Sequence, residues 1–282
     1  MKDGFTQYEV HNYDVLQPTR IVKNALDETD VITLEQAGFI PQKWLLTKDV
    51  VTDLRREVSL LLDNQRRFDG SSTYSTKKFA GIYVRDAHLQ SSLILRLLSD
   101  DFPFVAAARQ LMGPRIVVRS FSLRYTAALS GHGTMWHSDQ RSFVTPRPVF
   151  FTEPHVFTIT IYLDGADRTN GRLFVLPGSH RAPHQVDNRY DDIEGQIALD
   201  IEPGGVTLFH SALAHRGEEN TGGADRRILV MHFCPIFCRT ANYAVTNVAE
   251  DVAEFIQDRS RVKDEAFLEL VGRPGLRYPL FM

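Results

Sequence analysis

Two histidines and an aspartate carry the arrangement in this chain best suited to chemistry. In Trp136-His137-Ser138-Asp139 the histidine and the acid stand two positions apart. On an extended strand, residues i and i+2 point to one face, so the His137 imidazole and the Asp139 carboxylate could share a metal ion. A lone His-x-Asp is a common accident of sequence and gains meaning only with a third ligand from a distant strand. His210 and His215, both just beyond the run Val206 to Phe209, are the candidates. Two histidines and one carboxylate leave coordination positions open, the pattern of non-haem Fe(II) oxygenases. Catalytic zinc takes the same residue types, and either histidine by itself also reads as a hydrogen-bonded core or loop residue.

Arg226 stands eleven residues after His215, just before the run Arg227 to Phe233. Its planar fork could hold a carboxylate bidentately, which a lysine does less well; beside Asp225 it also reads as a surface arginine. The stretch from Asn170 to His180, NGRLFVLPGSH, reads as a hairpin turn and a sharp strand exit. Cys234 and Cys238, in CPIFC, fit neither a disulfide framework, a zinc knuckle nor a CxxC redox pair, and read as reduced buried thiols.

Such residues need strands to hold them in place. After Pro114 the texture turns to β: Ile116 to Tyr125 is β-rich, and Val156 to Leu163 alternates Val, Thr, Thr, Tyr against Phe, Ile, Ile, Leu. Arg172 to Leu176, Gln196 to Ile201, Val206 to Phe209 and Arg227 to Phe233 follow, punctuated by Asp164-Gly165, Asn170-Gly171, Pro177-Gly178 and Gly204-Gly205. Short strands so punctuated argue for an antiparallel sandwich or jelly roll over a βαβ sheet. Ahead of them lie a strand at Phe39 to Leu46, a helix from Thr47-Lys48-Asp49 through Leu62, and helical patterns at Leu93 to Leu98 and Phe104 to Leu111. The pattern returns to helix between Val248 and Val271. The expected plan is one domain over 1–282: a helix-rich part at 1–113, a β core at 114–240 and a helical tail at 241–282.

Composition sets the outer bounds. With 282 residues, 43% hydrophobic and 24% charged, the chain can bury a sizeable core and is neither disordered nor collagen-like. Lys and Arg number 32 against 35 Asp and Glu, so no excess positive charge favours nucleic acid or an anionic membrane as a partner. The opening MKDGFTQYEV has no apolar leader and no apolar run spans a bilayer, which reads as a soluble, cytoplasmic protein.

Four segments stand in a telling order: LEQAGFIPQKWLLTKDVVTDLRREV, WHSD, TITIYLDGADRTNGRLFVLPGSHR and GGVTLFHSALAHRGEENTGGADRRILVMHF. Together, over Leu34 to Phe233, they resemble the phytanoyl-CoA dioxygenase family of Fe(II)/2-oxoglutarate-dependent oxygenases, and most of all its ectoine-hydroxylase-like and natural-product hydroxylase branch. The resemblance implies a mainly β fold with flanking helices around a double-stranded β-helix (jelly roll, cupin-like) core. It implies His137, Asp139 and His215 as ligands of Fe(II). His215 is preferred to His210 because the family's histidine, asparagine and arginine fall on His215, Asn220 and Arg226. Arg226 then binds the distal carboxylate of 2-oxoglutarate, with Arg227 one residue out of phase.

Two positions depart from the family pattern: Val206 follows Gly205 where an aspartate is common, and Gly217 stands where a serine is usual. Neither removes a ligand. Related halogenases carry a small residue in place of the carboxylate ligand; Asp139 is present here, so the implied reaction is hydroxylation or another oxidation. It would use O2 and 2-oxoglutarate and release succinate and CO2. The competing reading is a non-redox, isomerase-like metal-binding cupin with the same ligands, which gives Arg226 no role. A silent binding module is a third, and it need not keep the ligand set.

The implied partner is a small-molecule metabolite. Gln140 to His155, the insert after His-x-Asp, carries Arg141, Phe143 and Arg147 and reads either as a substrate-contacting lid or as a solvated loop packing its phenylalanines on the core. Thr158 and Thr160 share one strand face. Their hydroxyls could meet substrate and cosubstrate respectively, although strands favour threonine in any case. In the resembling enzymes a polar residue near Arg124 touches cosubstrate or substrate, which makes Arg124 a further site residue.

Overall fold

The computed structural model describes residues 5–8, 20–67, 81–131, 133–139, 156–181, 190–236 and 248–271. Strands β1 (Phe5–Tyr8) and β2 (Arg20–Lys23) pair with each other. Helix α1 (Glu28–Ala37) starts on a capping box, with Asp27 accepting from the Asp30 N–H and Asp30 from the Asp27 N–H. That reciprocal pair satisfies two backbone donors that the first turn would otherwise leave open. Gly38, at φ +87°, ends the helix and turns the chain straight into β3 (Phe39–Leu45). Helix α2 (Lys48–Arg67) buries Val51, Leu54, Val58, Leu61 and Leu62 along one stripe, as the spacing predicted. After β4 (Gly81–Val84) come the one-turn α3 (Ser92–Leu95) and α4 (Phe104–Met112), which Gly113 terminates.

The remaining strands are β5 (Ile116–Thr126), β6 (Phe157–Tyr162), β7 (Leu173–Val175), β8 (Ile197–Leu199), β9 (Gly205–His210), β10 (His215–Gly217) and β11 (Arg226–Pro235). Helices α5 (Glu250–Arg261) and α6 (Glu265–Leu270) follow. The strands form a six-stranded sheet in the order β3-β9-β6-β11-β5-β4 and a three-stranded sheet β10-β7-β8, antiparallel throughout. Phe39, Tyr162 and Phe209 of the large sheet pack with Leu173, Val175 and Leu199 of the small one. Two antiparallel sheets closed over a shared interior make the jelly roll that the sequence predicted. The segment Phe39–Leu45 contributes an edge strand to its main sheet.

The two faces of the large sheet differ in kind. Ile159, Ile161, Val206, Leu208, Leu229 and Met231 point outward into one core with Leu54, Val58, Ile94 and Phe104 of the helices. Each such side chain, taken out of water, contributes roughly 1.5–3 kcal/mol, so the helix-covered face holds most of the folding energy. The opposite face carries Thr158, Thr160 and Tyr162 on β6, and by register their neighbours His232, Val230 and Ile228 on β11. Ser120, Ser122 and Arg124 of β5 complete the rows. The alternation in VFTITIYL therefore separates an apolar outside from a polar inside. Opposite β11, the pairing skips Arg119 between Ser120 and Val118, a bulge that brings Val118 and Ile116 onto the helix side with Phe121 and Leu123.

Candidate metal centre

The segment before His137 is pinned from outside the cavity. Trp136 is fully buried against Phe174 and Ala214, and its Nε1–H donates to the Asp191 carbonyl at 3.0 Å. His137 then forms an antiparallel bridge with His215. Each backbone N–H donates to the other residue's carbonyl, at 3.0 and 2.9 Å, and the ring centroids lie 4.2 Å apart. His215 opens β10, which pairs residue for residue with β7, opposite Val175. Ser179, in the strand exit PGSH, accepts from the Ala214 N–H at 2.8 Å and so fixes the residue before His215. The short β10 had no pattern of its own in the sequence; β7 and the bridge to His137 create it.

His137, Asp139 and His215 each offer one donor atom, all within 4.8 Å of one another. His137 Nδ1 lies 2.7 Å from the Met135 carbonyl and His215 Nδ1 lies 3.0 Å from the Leu213 carbonyl. A carbonyl can only accept, so each Nδ1 is assigned the proton and each Nε2 turns a lone pair toward Asp139 at 3.9 Å. Burial, with His215 nearby, lowers the His137 pKa to about 4 despite the opposing pull of Asp139. Burial also lowers that of His215, again against Asp139. Burial alone would raise Asp139, but the imidazoles of His232, His215 and His137 outweigh it and hold the carboxyl well below its usual range. At neutral pH the set is two neutral imidazoles and one carboxylate, the state in which such groups bind a divalent metal. In donor type, tautomer and protonation these residues fit a metal with open coordination positions.

A cavity of about 620 Å³, its mouth included, opens beside these donors. Arg124, Thr160, Tyr162 and Arg226 line it together with His137 and His215. Arg226 is buried, and its Nη1 donates to the carbonyls of Gly171 at 2.6 Å and Glu218 at 3.2 Å. Asn220, fully buried, shapes the approach to Arg226 by donating to the Ala224 carbonyl at 2.9 Å. Arg227 leaves on the other face and pairs with Asp164 through Nε at 2.8 Å and Nη2 at 2.7 Å. The Arg124 guanidinium lies over the Tyr83 ring at 5.7 Å, and among the described residues its buried Nε has no hydrogen-bond acceptor.

The other expected residues divide as follows. Thr160 faces the cavity, whereas the Thr158 hydroxyl is 2.7 Å from Ser211 Oγ and 3.5 Å from Asp139 Oδ2. His210 turns away from the donors: its Nδ1 accepts from the Ala212 N–H at 3.0 Å, and its ring lies 5.1 Å from that of His180. Arg141, Phe143, Arg147 and the rest of the 140–155 insert lie outside the described residues, as does Cys238; Cys234 is buried beside Val117 and Val156. Tyr162, noted only in the strand alternation, and His232 are not among the expected site residues. Tyr162 continues the phase of Thr158 and Thr160, a signal that was available; burial raises its pKa to about 12, against the nearby arginines, so it keeps its proton.

A model of the phytanoyl-CoA dioxygenase (PhyH) family matches residues 34–228, which takes in both histidines, the aspartate and Arg226. The chain belongs to the phytanoyl-CoA dioxygenase family. Within that family it is similar to ectoine dioxygenase of Streptomyces coelicolor, 27% identical over 155 residues, which is 54% of this chain and 50% of that one. The chain spans about half the length of the curated relatives it matches. Among solved structures it resembles EctD from S. alaskensis with 2-oxoglutarate and 5-hydroxyectoine, with a TM-score of 0.62 at 22% identity, over 76% of this chain and 78% of that one. It also resembles the non-haem α-ketoglutarate-dependent carbocyclase SnoK from nogalamycin biosynthesis, with a TM-score of 0.61 at 18% identity, over 75% and 85% of the two chains. Both likenesses show that this PhyH chain has the fold of those proteins. Among its described residues no helix is long and apolar enough to cross a membrane.

Proposed function

We propose that this protein is an Fe(II)- and 2-oxoglutarate-dependent dioxygenase that hydroxylates or otherwise oxidises a C–H bond of a small-molecule metabolite. One observation carries the reading: a neutral-imidazole pair and a carboxylate open onto the same cavity as a buried arginine. A metal site for non-redox chemistry needs the first three and has no use for the fourth. Relatives named ectoine dioxygenase, and a fold shared with a protein solved with 2-oxoglutarate, support the same assignment.

In this reading His137, Asp139 and His215 hold the iron, and Arg226 anchors the distal carboxylate of 2-oxoglutarate. Its Nη1 is already committed to two carbonyls, so the remaining edge of the fork is the part presented to the cosubstrate. Arg124 and Thr160 line the path between that anchor and the metal, and the two guanidinium charges offset the two cosubstrate carboxylates. Bound iron with 2-oxoglutarate and O2 supplies oxidative decarboxylation to succinate and CO2 coupled to oxidation of the substrate. The protein's own contribution is orientation, fixed tautomers and a cavity that limits water, with no acid–base step assigned to a side chain. Arg141, Phe143, Arg147 and Thr158 are the proposed substrate contacts.

The test needs no substrate. Fe(II) and 2-oxoglutarate, added to apo-protein without oxygen, are expected to give the visible charge-transfer band of a chelated 2-oxo acid. That band should vanish in His215→Ala. Tight Zn or Mn binding with no such band would move the assignment to a non-redox cupin and remove the role given to Arg226.

A further inference from the structure

Asp139 has a buried attendant that comes from neither the metal-type motif nor the cavity. His232, on β11, places Nε2 3.1 Å from Asp139 Oδ2, and its Nδ1 lies 2.8 Å from the Ser120 hydroxyl. Ser120 is His232's register partner on β5, at the last pair before the bulge. For a neutral imidazole only one tautomer makes both contacts attractive. The Ser120 hydroxyl donates to Nδ1, and the Nε2–H donates to the carboxylate. The reverse tautomer would set the Nε2 lone pair against Oδ2.

The two oxygens of Asp139 are thereby made unequal. Oδ2 takes the His232 contact and lies 3.5 Å from the Thr158 hydroxyl. Oδ1 lies 3.9 Å from His137 Nε2 and Oδ2 the same distance from His215 Nε2, so what separates the two oxygens is the His232 contact on Oδ2; Oδ1 accepts no hydrogen bond from the described residues. A carboxylate free to rotate can bind a metal through both oxygens and occupy two coordination positions. One whose second oxygen is held by a donor binds through the first alone and leaves the other position to cosubstrate or O2.

We propose that His232, oriented by Ser120, is a positioning residue that holds Asp139 Oδ2 and so makes Asp139 a one-oxygen ligand. The inference rests on the metal-centre reading above. His232 itself is nine-tenths buried beneath Asp139 and acts through that carboxylate. Hydrogen-bonded partners of metal ligands typically account for 10–100-fold in metal affinity, which sets the size of the expected effect.

Co(II), added to the whole protein without oxygen, gives both an affinity and a visible d–d spectrum that reports coordination. His232→Phe is expected to weaken Co(II) about 10–100-fold and change the spectrum while the apo-protein melts within a few degrees of wild type. His232→Gln, whose amide N–H can replace the donor, should recover most of the affinity. Ser120→Ala, which leaves His232 in place but unoriented, should fall between. Should His232→Phe fail to fold, the Ser120→Ala and His232→Gln proteins decide. A His232→Phe or Ser120→Ala protein that binds Co(II) as tightly as wild type, with the same spectrum, overturns the proposal. Wild type that binds Co(II) no better than His137→Ala would instead overturn the metal-centre reading, and this proposal with it.

Discussion

His137 and His215 hydrogen-bond to each other through their main chains in both directions, at 3.0 and 2.9 Å, so the pair is a rung of antiparallel ladder as well as a pair of donors. The distance between the imidazoles is set by backbone. His210 instead donates its backbone N–H to the Gly38 carbonyl at 2.9 Å and sets its ring beside His180. His215→Ala should therefore weaken Co(II) or Mn(II) binding by more than about 100-fold, while His210→Ala should change it less than about 3-fold. Calorimetric titration of both proteins checks this, and tight binding by His215→Ala would remove it from the donor set.

Arg226 combines a structural and a ligand-facing edge. Replacing it by alanine strips donors from the Gly171 and Glu218 carbonyls and removes the proposed anchor. Loss of a buried charged contact is commonly worth about 2–5 kcal/mol, so 2-oxoglutarate affinity should fall at least about 30-fold with Co(II) affinity unchanged. Arg226→Lys keeps the charge without the fork and should restore only part. Equal 2-oxoglutarate binding by all three proteins would return Arg226 to a packing role.

Gly171 tests the same edge from the other side. Its φ is +94°, and a Cβ there would collide with Arg226 Nη1 and come within 2.6 Å of the Glu218 carbonyl oxygen. Gly171→Ala should cost about 1–3 kcal/mol in stability through backbone strain. It should also weaken 2-oxoglutarate by displacing the guanidinium. Equilibrium denaturation alongside cosubstrate titration separates the two effects; an unchanged cosubstrate affinity would show that Arg226 does not need Gly171.

How much of this the residues announce on their own depends on how local the cause is. Helix α2 and strand β6 declare themselves because Val51, Leu54 and Val58, or Thr158, Thr160 and Tyr162, repeat with the period of their element. The candidate donor trio is legible through motif order, since His-x-Asp and the spacing from His215 to Arg226 are written along the chain. Strands β4 and β10, of four and three residues, are not, because their partners β5 and β7 define them. Ser120 and His232 meet only through cross-strand register, 112 residues apart. Ser120-Phe121-Ser122-Leu123-Arg124 alternates and so marks Ser120 as sharing a face with Arg124, but nothing along the chain pairs it with His232; the bulge at Arg119 breaks the alternation only toward Val118.

Acid should unfold the metal-free protein partly through a histidine remote from the donors. Burial against Phe121 lowers His88 to about 3, well under the 6.5 of an exposed imidazole. The unfolded chain takes up that proton first, so the contribution is intact above pH 6.5 and is lost as pH falls toward 3. The total is roughly 5 kcal/mol, and His88→Phe should flatten the fall in stability across that window. Parallel denaturation curves from pH 7 to about 4 compare the two proteins; identical slopes would place the acid sensitivity elsewhere.

The large sheet keeps its two faces on alternate residues, and that has a consequence for changing what the protein accepts. Ile159 and Ile161 fasten β6 to the helices, Thr160 borders the cavity, and Tyr162 both lines the cavity and packs against the small sheet. A combinatorial library confined to Thr126, Thr160 and Val230 would rewrite the chamber's shape and polarity while leaving the helix-facing anchors and the packing of Tyr162 and Ile228 on the small sheet untouched. New ligand preferences can then be sampled with both hydrophobic clusters of the fold left intact.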